Sequence, residues 1–203
     1  MLPLYLIKAG IVFIGAVTLV AVGPWFVRWL RRQRAPIVTE PSGWFQWGPH
    51  LLMILHTAAV LLLLVDIDPL PFLHAYQHLA NNQVPALAGP VGVVFFLIGN
   101  VVRVWGLYAQ GNVMEKDVRI RENQPLITSG PYAVSRHPIY TGNLMAELGL
   151  GLAFAYWPLI VFTLLLSLPA WHYRTMREET ILVEHFGEDY RAYQTKVGRF
   201  LPW

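Results

Sequence analysis

Three groups of polar residues in this chain have the types and spacing to recognise small charged ligands. The first is the run Gly130-Pro131-Tyr132-Ala133-Val134-Ser135-Arg136-His137-Pro138-Ile139-Tyr140-Thr141-Gly142. Proline suits the first turn of a helix, where its missing N–H costs nothing. A helix is therefore expected to start near Pro138, with His137 at its cap. Free backbone N–H groups and the positive helix end would lie beside Arg136, and such a corner suits a carboxylate. The second group is Glu178 and Glu179. Adjacent helical residues point about 100° apart, so the two carboxylates take different partners. One is suited to ribose hydroxyls or an ammonium, the other to Arg174 or Arg177. The third group is Asn100, Arg103, Asn143 and Glu147, which lie inside apolar runs. Polar groups there are costly and are functional candidates by default. Tyr140, Asn143 and Glu147 share one helix face, and Arg103 is placed to pair with Glu147. Taken singly, each group has a plain structural reading as interfacial anchor, helix cap, solvated salt-bridged face or ion pair between helices.

The elements that must position these residues are membrane helices. Of 203 residues, 55% are hydrophobic and only 13% are charged, about half the charged share of a soluble domain. The apolar residues gather into runs, some of spanning length. Five segments emerge, at about Leu4–Leu30, His50–Val65, Ala86–Tyr108, Tyr140–Tyr156 and Pro158–Tyr173. The last two are short and nearly continuous, which predicts a tight hairpin. The expected fold class is all-α, a polytopic bundle of about five spans with a helical C-terminal segment. It forms one membrane domain over 1–203, with residues 1–85 as two N-terminal spans and an outer loop and 86–203 as the core bearing the polar groups.

Charge placement sets the expected orientation. None of the 15 Lys and Arg residues falls between Asp66 and Pro85. Arg28, Arg31, Arg32 and Arg34 close the first span. Lys116, Arg119, Arg121 and Arg136 lie in the central loop, and Arg174, Arg177, Arg191, Lys196 and Arg199 lie in the tail. The positive-inside rule puts these three regions in the cytoplasm. The N-terminus is then outside, in a bacterial inner membrane or an endoplasmic reticulum membrane. The first run has no basic segment before it and is too long for a cleaved signal, so it reads as a retained span. Lys8 can snorkel to the outer interface. In the outer loop, Phe72, Leu73, Tyr76, Leu79 and Ala80 suit one face of an interfacial helix. In the tail, Phe186, Tyr190, Tyr193 and Val197 form an apolar stripe at helical spacing, interrupted by Gly187.

Several classes of function are disfavoured. The net charge of +3 is explained by membrane orientation, so no nucleic-acid partner is expected. The chain has no cysteine, hence no disulfide framework or thiolate metal site. His74 and His78 have the spacing of paired metal ligands, but no third ligand is near them in sequence, so no metal is expected. No glycine-rich nucleotide loop is present. No internal repeat of the kind common in transporters is seen.

Taken together, the motifs resemble the isoprenylcysteine carboxyl methyltransferase and phospholipid methyltransferase family of integral membrane enzymes. The resemblance runs from about Asn100 to Trp203. It rests on Leu126–Tyr132, Arg136-His137-Pro138-x-Tyr140-x-Gly142, Glu178-Glu179, Phe186-Gly187-x-x-Tyr190-x-x-Tyr193 and Arg199-Phe200-Leu201-Pro202. It implies an S-adenosylmethionine cofactor bound on the cytoplasmic side and a lipid-like substrate arriving from the bilayer. It makes Tyr132, His137, Pro138, Tyr140, Asn143, Glu178 and Glu179 cofactor-binding candidates. Arg136, Arg103, Glu179 and Glu147 become catalytic candidates, the two arginines as holders of an anionic group. A carboxylate acceptor would need no general base, whereas an amine acceptor would need Glu147 or Glu179 to take its proton. Carboxyl methylation of an isoprenylcysteine-like substrate is the expected activity. Phospholipid amine methylation, NADPH-dependent reduction and a non-catalytic transporter or structural role are the alternatives.

Overall fold

The computed structural model describes residues 3–31, 37–39, 44–70, 87–111, 120–121 and 124–202. His74, His78, the expected interfacial helix of the outer loop, and Arg32, Arg34, Lys116 and Arg119 lie outside the described residues. The elements in order are α1 (Leu4–Arg31), β1 (Ile37–Thr39), α2 (Trp44–Leu64), α3 (Ala88–Gln110), β2 (Ile120–Arg121), a 3-10 turn (Gly130–Ala133), α4 (Pro138–Ala153), α5 (Trp157–Phe162), a π turn (Thr163–Ser167), α6 (Leu168–Phe186) and α7 (Glu188–Gln194). The protein is an integral membrane helix bundle. Among the described residues the one departure from all-α is a short antiparallel ribbon that pairs Ile37 with Arg121 and Thr39 with Ile120.

Among the described residues three helices are long and apolar enough to cross a membrane, over Leu4–Pro24, Trp47–Leu64 and Ala88–Gln110. The expected hairpin is present but built differently. Helix α4 has 16 residues, fewer than the roughly 20 of a full span. Its return partner runs without a break through α5, the π turn and α6. The reversal is made at Phe154–Tyr156, with Ala155 at φ 50°. The Tyr156 hydroxyl ties this corner to Asp68 Oδ1 at 2.7 Å, just past α2. At the same end Lys8 Nζ bonds Asp66 Oδ1 at 2.6 Å, so α1 is pinned to the end of α2.

The closest helix contact is between α3 and α4, and glycines make it. Gly92, Gly99 and Gly106 recur every seven residues on α3, and Gly142 and Gly149 do so on α4. A Cβ added to Gly99 would lie 2.6 Å from both Ala146 N and Gly142 O. One added to Gly142 would lie 2.7 Å from Arg103 N. The backbones therefore touch, as small residues permit in membrane helix pairs. This contact brings Arg103 of α3 against the first turns of α4. The apolar core lies toward the other end of the bundle, where Ile7, Ile11, Val60, Phe96, Leu150 and Leu159 are buried together. The expected tail stripe is also found, as Tyr190, Tyr193 and Val197 pack against Leu182, Val183 and Phe186. Gly187, at φ 57°, turns the chain between α6 and α7.

A Gly99→Ala substitution should push α3 and α4 apart, because its methyl group meets backbone rather than a movable side chain. Overpacking of this kind costs about 1–3 kcal/mol. Thermal unfolding in detergent should show a lower midpoint than wild type, and an unchanged midpoint would contradict the contact.

Candidate functional site

Glu179 organises the end of the bundle where α4 begins and α6 and α7 meet. Its side chain is 5% exposed. Oε1 accepts from Arg136 Nε at 2.9 Å, His137 Nε2 at 3.1 Å and Arg199 Nε at 3.2 Å. Oε2 accepts from Arg199 Nη2 at 2.7 Å and Gln194 Nε2 at 3.3 Å. Burial alone would raise the carboxyl pKa. The bonds from His137, Arg199 and Arg136 outweigh it and hold the group well below the usual carboxylate range. Charge-assisted bonds of this kind are the strong ones.

The tail completes the same corner through its backbone. Arg136 N donates to Gly198 O at 2.8 Å, and His137 N donates to Arg199 O at 3.1 Å. The Ser135 and Thr141 hydroxyls donate to Arg199 O and Phe200 O at 2.9 and 3.1 Å. Arg136 Nη1 also donates to the carbonyls of Gln194 and Val197. This corrects the expectation of an open anion-binding corner before α4, since the tail carbonyls already take these donors. The guanidinium of Arg136 is likewise engaged. The sequence signal was there in Arg199-Phe200-Leu201-Pro202, but nothing in it says that its carbonyls return to residue 136.

Beside this hub lies a cavity of about 300 Å³, at the lower end of the range for small-ligand sites. Seven of the expected residues line it: Arg103, Tyr132, Arg136, His137, Tyr140, Asn143 and Glu178. Pro138 shapes the turn behind them, while Glu147 and Glu179 are set back from the wall. One wall is aromatic. His137 stacks on Tyr140 at 5.6 Å, Tyr140 on Trp171 at 4.6 Å, and His50 meets Trp171 edge-on at 5.4 Å. Glu178 Oε2 accepts from the Tyr140 hydroxyl at 2.9 Å, and that hydroxyl accepts from Arg174 Nε at 3.0 Å. The Tyr132 hydroxyl is pushed up by its burial and by the nearby Glu178 charge, and burial pushes Tyr193 up to about 12. Both stay neutral at physiological pH. Tyr193 donates its proton to Tyr132 O at 2.5 Å, which fixes the turn before α4.

Glu178 and Glu179 do point to different partners, but those of Glu179 are Arg136 and Arg199 rather than Arg174 or Arg177. The expected Arg103–Glu147 ion pair is not formed. Arg103 Nη2 donates to Asn100 Oδ1 at 2.8 Å, while its Nε and both Glu147 oxygens have no partner among the described residues. Asn100 in turn sits 3.4 Å from the Thr18 hydroxyl of α1. Thr18, Leu19, His50, Met53 and Trp171 also line the cavity. Sequence reasoning missed these residues because they belong to no local motif. Thr18 also lines an apolar groove of about 490 Å³ between α1 and α3, bounded by Phe13, Val17, Val101, Trp105 and Tyr108. Thr18 thus stands in the wall of both the cavity and the groove.

The phospholipid methyltransferase family profile matches residues 88–189, the stretch from α3 into α7 that supplies Arg136, His137 and Glu179 of the hub and most of the cavity wall. The chain belongs to this family. Among its relatives, a probable protein-S-isoprenylcysteine O-methyltransferase of Oryza sativa subsp. indica is 34% identical over 120 residues, 56% of this chain and 60% of that protein. The Schizosaccharomyces pombe protein-S-isoprenylcysteine O-methyltransferase is 33% identical over 113 residues, 53% of this chain and 47% of that protein. A Delta(14)-sterol reductase of Methylotuvimicrobium alcaliphilum is 30% identical over 106 residues, 49% of this chain but 21% of that protein. The match therefore spans about half to 60% of the length of the methyltransferase relatives. In fold, the chain is similar to a solved eukaryotic intramembrane Ras methyltransferase, isoprenylcysteine carboxyl methyltransferase. The TM-score is 0.51 at 20% identity, covering 94% of this chain and 74% of that one. Family membership implies a methyl donor. The cavity fits a polar one, because Asn143 Oδ1, Arg103 Nε and Trp171 Nε1, of residues in its wall, are buried without partners among the described residues.

Because the Glu179 pKa is depressed in the fold, its contribution to stability is present above the ordinary value of 4.5 and is lost as pH falls further. The thermal midpoint should hold steady near neutrality and decline below pH 4.5. Glu179→Gln should flatten that decline. It should also cost about 3–5 kcal/mol at pH 7 by stranding buried cations. A wild-type profile identical in shape to that of the variant would contradict the hub.

Proposed function

We propose that this protein transfers a methyl group from S-adenosylmethionine to the carboxylate of a lipid-linked, isoprenylcysteine-like acceptor. The observation that carries this reading is the adjacency of two spaces that share Thr18 in their walls, a polar aromatic-walled cavity and an apolar groove. The hub end of the bundle is read as cytoplasmic, from its basic residues. A water-soluble donor would then reach the cavity from one side, and a hydrocarbon chain would reach it between α1 and α3.

The cofactor supplies an electrophilic methyl group on a sulfonium. His137, Tyr140 and Trp171 provide a flat aromatic wall against which a cation is favoured. Glu178 presents a carboxylate at the same wall. Tyr132, Pro138 and Asn143 shape the cavity around these groups. Arg103, with its Nε unspent, holds the acceptor carboxylate beside α4. A carboxylate is already ionised at pH 7, so no residue need remove a proton. Catalysis then rests on alignment and on excluding water from the nucleophile. In this reading Arg136 and Glu179 are positioning residues that lock His137 and the tail, because their charges are spent on one another.

Two alternatives keep a specific observation. An amine acceptor, as in phospholipid methylation, would need a proton acceptor, and both Glu147 oxygens lack a partner among the described residues. NADPH-dependent reduction is kept by the similarity to a sterol reductase.

Calorimetric titration in detergent decides the cofactor. S-adenosylmethionine should bind wild type, and Glu178→Ala should weaken it at least about tenfold, a loss of about 1.4 kcal/mol. NADPH should not bind. Binding of NADPH alone would replace the methyltransferase reading with the reductase, and binding of neither would favour a non-catalytic role. The groove has its own expected outcome. Val101→Trp should raise KM for a farnesylated acceptor several-fold and leave cofactor affinity as in wild type. Unchanged KM would move the acceptor elsewhere.

A further inference from the structure

Arg103 stands in the cavity wall, yet its guanidinium is held from the direction of the membrane interior. Its Nη2 donates to Asn100 Oδ1 at 2.8 Å, about one turn back along α3 and away from the hub. The hub end of α3, at Gln110, lies two turns the other way, about 10 Å along the helix axis. An arginine so placed ordinarily snorkels toward the nearer interface, where water answers its charge. The bond to Asn100 draws it inward instead, beside the first turns of α4.

Asn100 is suited to that task. The residue is 4% exposed, and its Nδ2 donates to Phe96 O at 2.8 Å. A carbonyl only accepts and a guanidinium only donates, so these two partners fix which way the amide faces. Gly99 is packed on Ala146 and Gly142 of α4, and the next residue turns about 100° away. Asn100 thus looks toward α1, with Oδ1 at 3.4 Å from the Thr18 hydroxyl. That hydroxyl has one proton and lies closer to Ile14 O, at 2.8 Å. The link to α1 is therefore the weaker of the amide's contacts, and the one to Arg103 is charge-assisted. Asn100 also lines the apolar groove. One side chain thus borders the space suited to hydrocarbon and steadies the cation in the wall of the space suited to a head group. Being neutral, it engages one N–H of the guanidinium and leaves the positive charge uncancelled.

We infer that Asn100 is a positioning residue, which keeps Arg103 turned into the bundle and still cationic so that it selects an anionic head group. The inference rests on the methyl-transfer reading and deepens it, by naming the residue through which Arg103 comes to face the acceptor. Asn100 itself touches neither reacting atom. A carboxylate in its place would hold the arm as firmly and cancel the charge that the acceptor needs.

The test compares N-acetyl-S-farnesylcysteine with its neutral carboxamide. Each is titrated by calorimetry into protein saturated with S-adenosylhomocysteine, so that no turnover occurs. The readout is the ratio of the two affinities, carboxylate over carboxamide. Partition into detergent is common to all variants and cancels between them. The wild-type ratio should exceed that of Arg103→Gln at least about tenfold. Asn100→Leu should lower it several-fold, and Asn100→Asp, which keeps the shape, should bring it to the Arg103→Gln value. The double variant Asn100→Leu, Arg103→Gln should match Arg103→Gln alone, since the amide acts through the arginine. S-adenosylhomocysteine affinity, measured first, reports which variants keep the fold, and Asn100→Asp carries the test where Asn100→Leu does not. A merely structural Asn100 would weaken both ligands equally and leave the ratio at its wild-type value, which overturns the inference. So does an Asn100→Leu effect on the ratio that persists without Arg103. A wild-type ratio equal to that of Arg103→Gln, or binding of neither ligand, overturns it together with the acceptor role of Arg103 while donor binding stands. Failure of wild type to bind S-adenosylhomocysteine sinks the methyl-transfer reading itself, and the inference with it.

Discussion

Two arginines, one histidine and one glutamine converge on a single buried carboxylate, and the organisation of this end of the protein follows from that convergence. A lone Glu179 in such a place would be a severe liability. With Arg136 on one side and Arg199 on the other, it joins three separate stretches of chain: the turn before α4, the middle of α6 and the segment after α7. The backbone follows the charges. Once Arg199 is held, its carbonyl and that of Gly198 lie where the N–H groups of His137 and Arg136 need acceptors. His137 is fixed from both its ring and its backbone, and through it the stacked wall of Tyr140 and Trp171 is fixed as well. A network this fully satisfied tends to specify one arrangement.

The second constraint is steric. Seven-residue glycine spacing on α3 and α4 lets two backbones touch inside the membrane, where apolar burial gives little reason for helices to associate. The hub and the glycine contact divide the work. One fixes the end of the bundle where the charges are, and the other sets how near Arg103 stands to the helix that begins there. Neither would shape the cavity alone. The hub without the close contact would leave Arg103 out of reach, and the contact without the hub would leave His137 free to swing.

How much of this was legible depended on whether the information was local. The Arg136–Gly142 run and Glu178-Glu179 could be read because the residues that shape the site are adjacent in sequence, and helix phase alone separated the two glutamates. The start of α4 at Pro138 followed from proline chemistry and is observed. The engagement of Arg136 was not legible, since two of its acceptors are main-chain carbonyls of Gln194 and Val197, which no side-chain pattern announces. Thr18, His50 and Trp171 were missed for a related reason. They reach the cavity through helix packing, and a single threonine or histidine in an apolar run has no local signature. The glycine spacing was visible in principle, yet it reads as composition until two helices are known to be neighbours. The Arg103–Glu147 pair is absent because proximity along two helices does not fix side-chain orientation, and Arg103 turns back to Asn100 on its own helix.

The cavity draws its walls from two sources with different obligations. Helices α3, α4, α6 and α7 are bound to one another by buried charges and touching backbones, so most substitutions among them disturb several contacts together. Helices α1 and α2 contribute Thr18, Leu19, His50 and Met53 from helices whose other contacts are largely apolar. Apolar contacts of similar size are interchangeable in a way that ion networks are not. The result is a protein in which the lining of one side can drift over evolutionary time while the other is held still. New occupants of the groove can be tried without rebuilding the apparatus beside it.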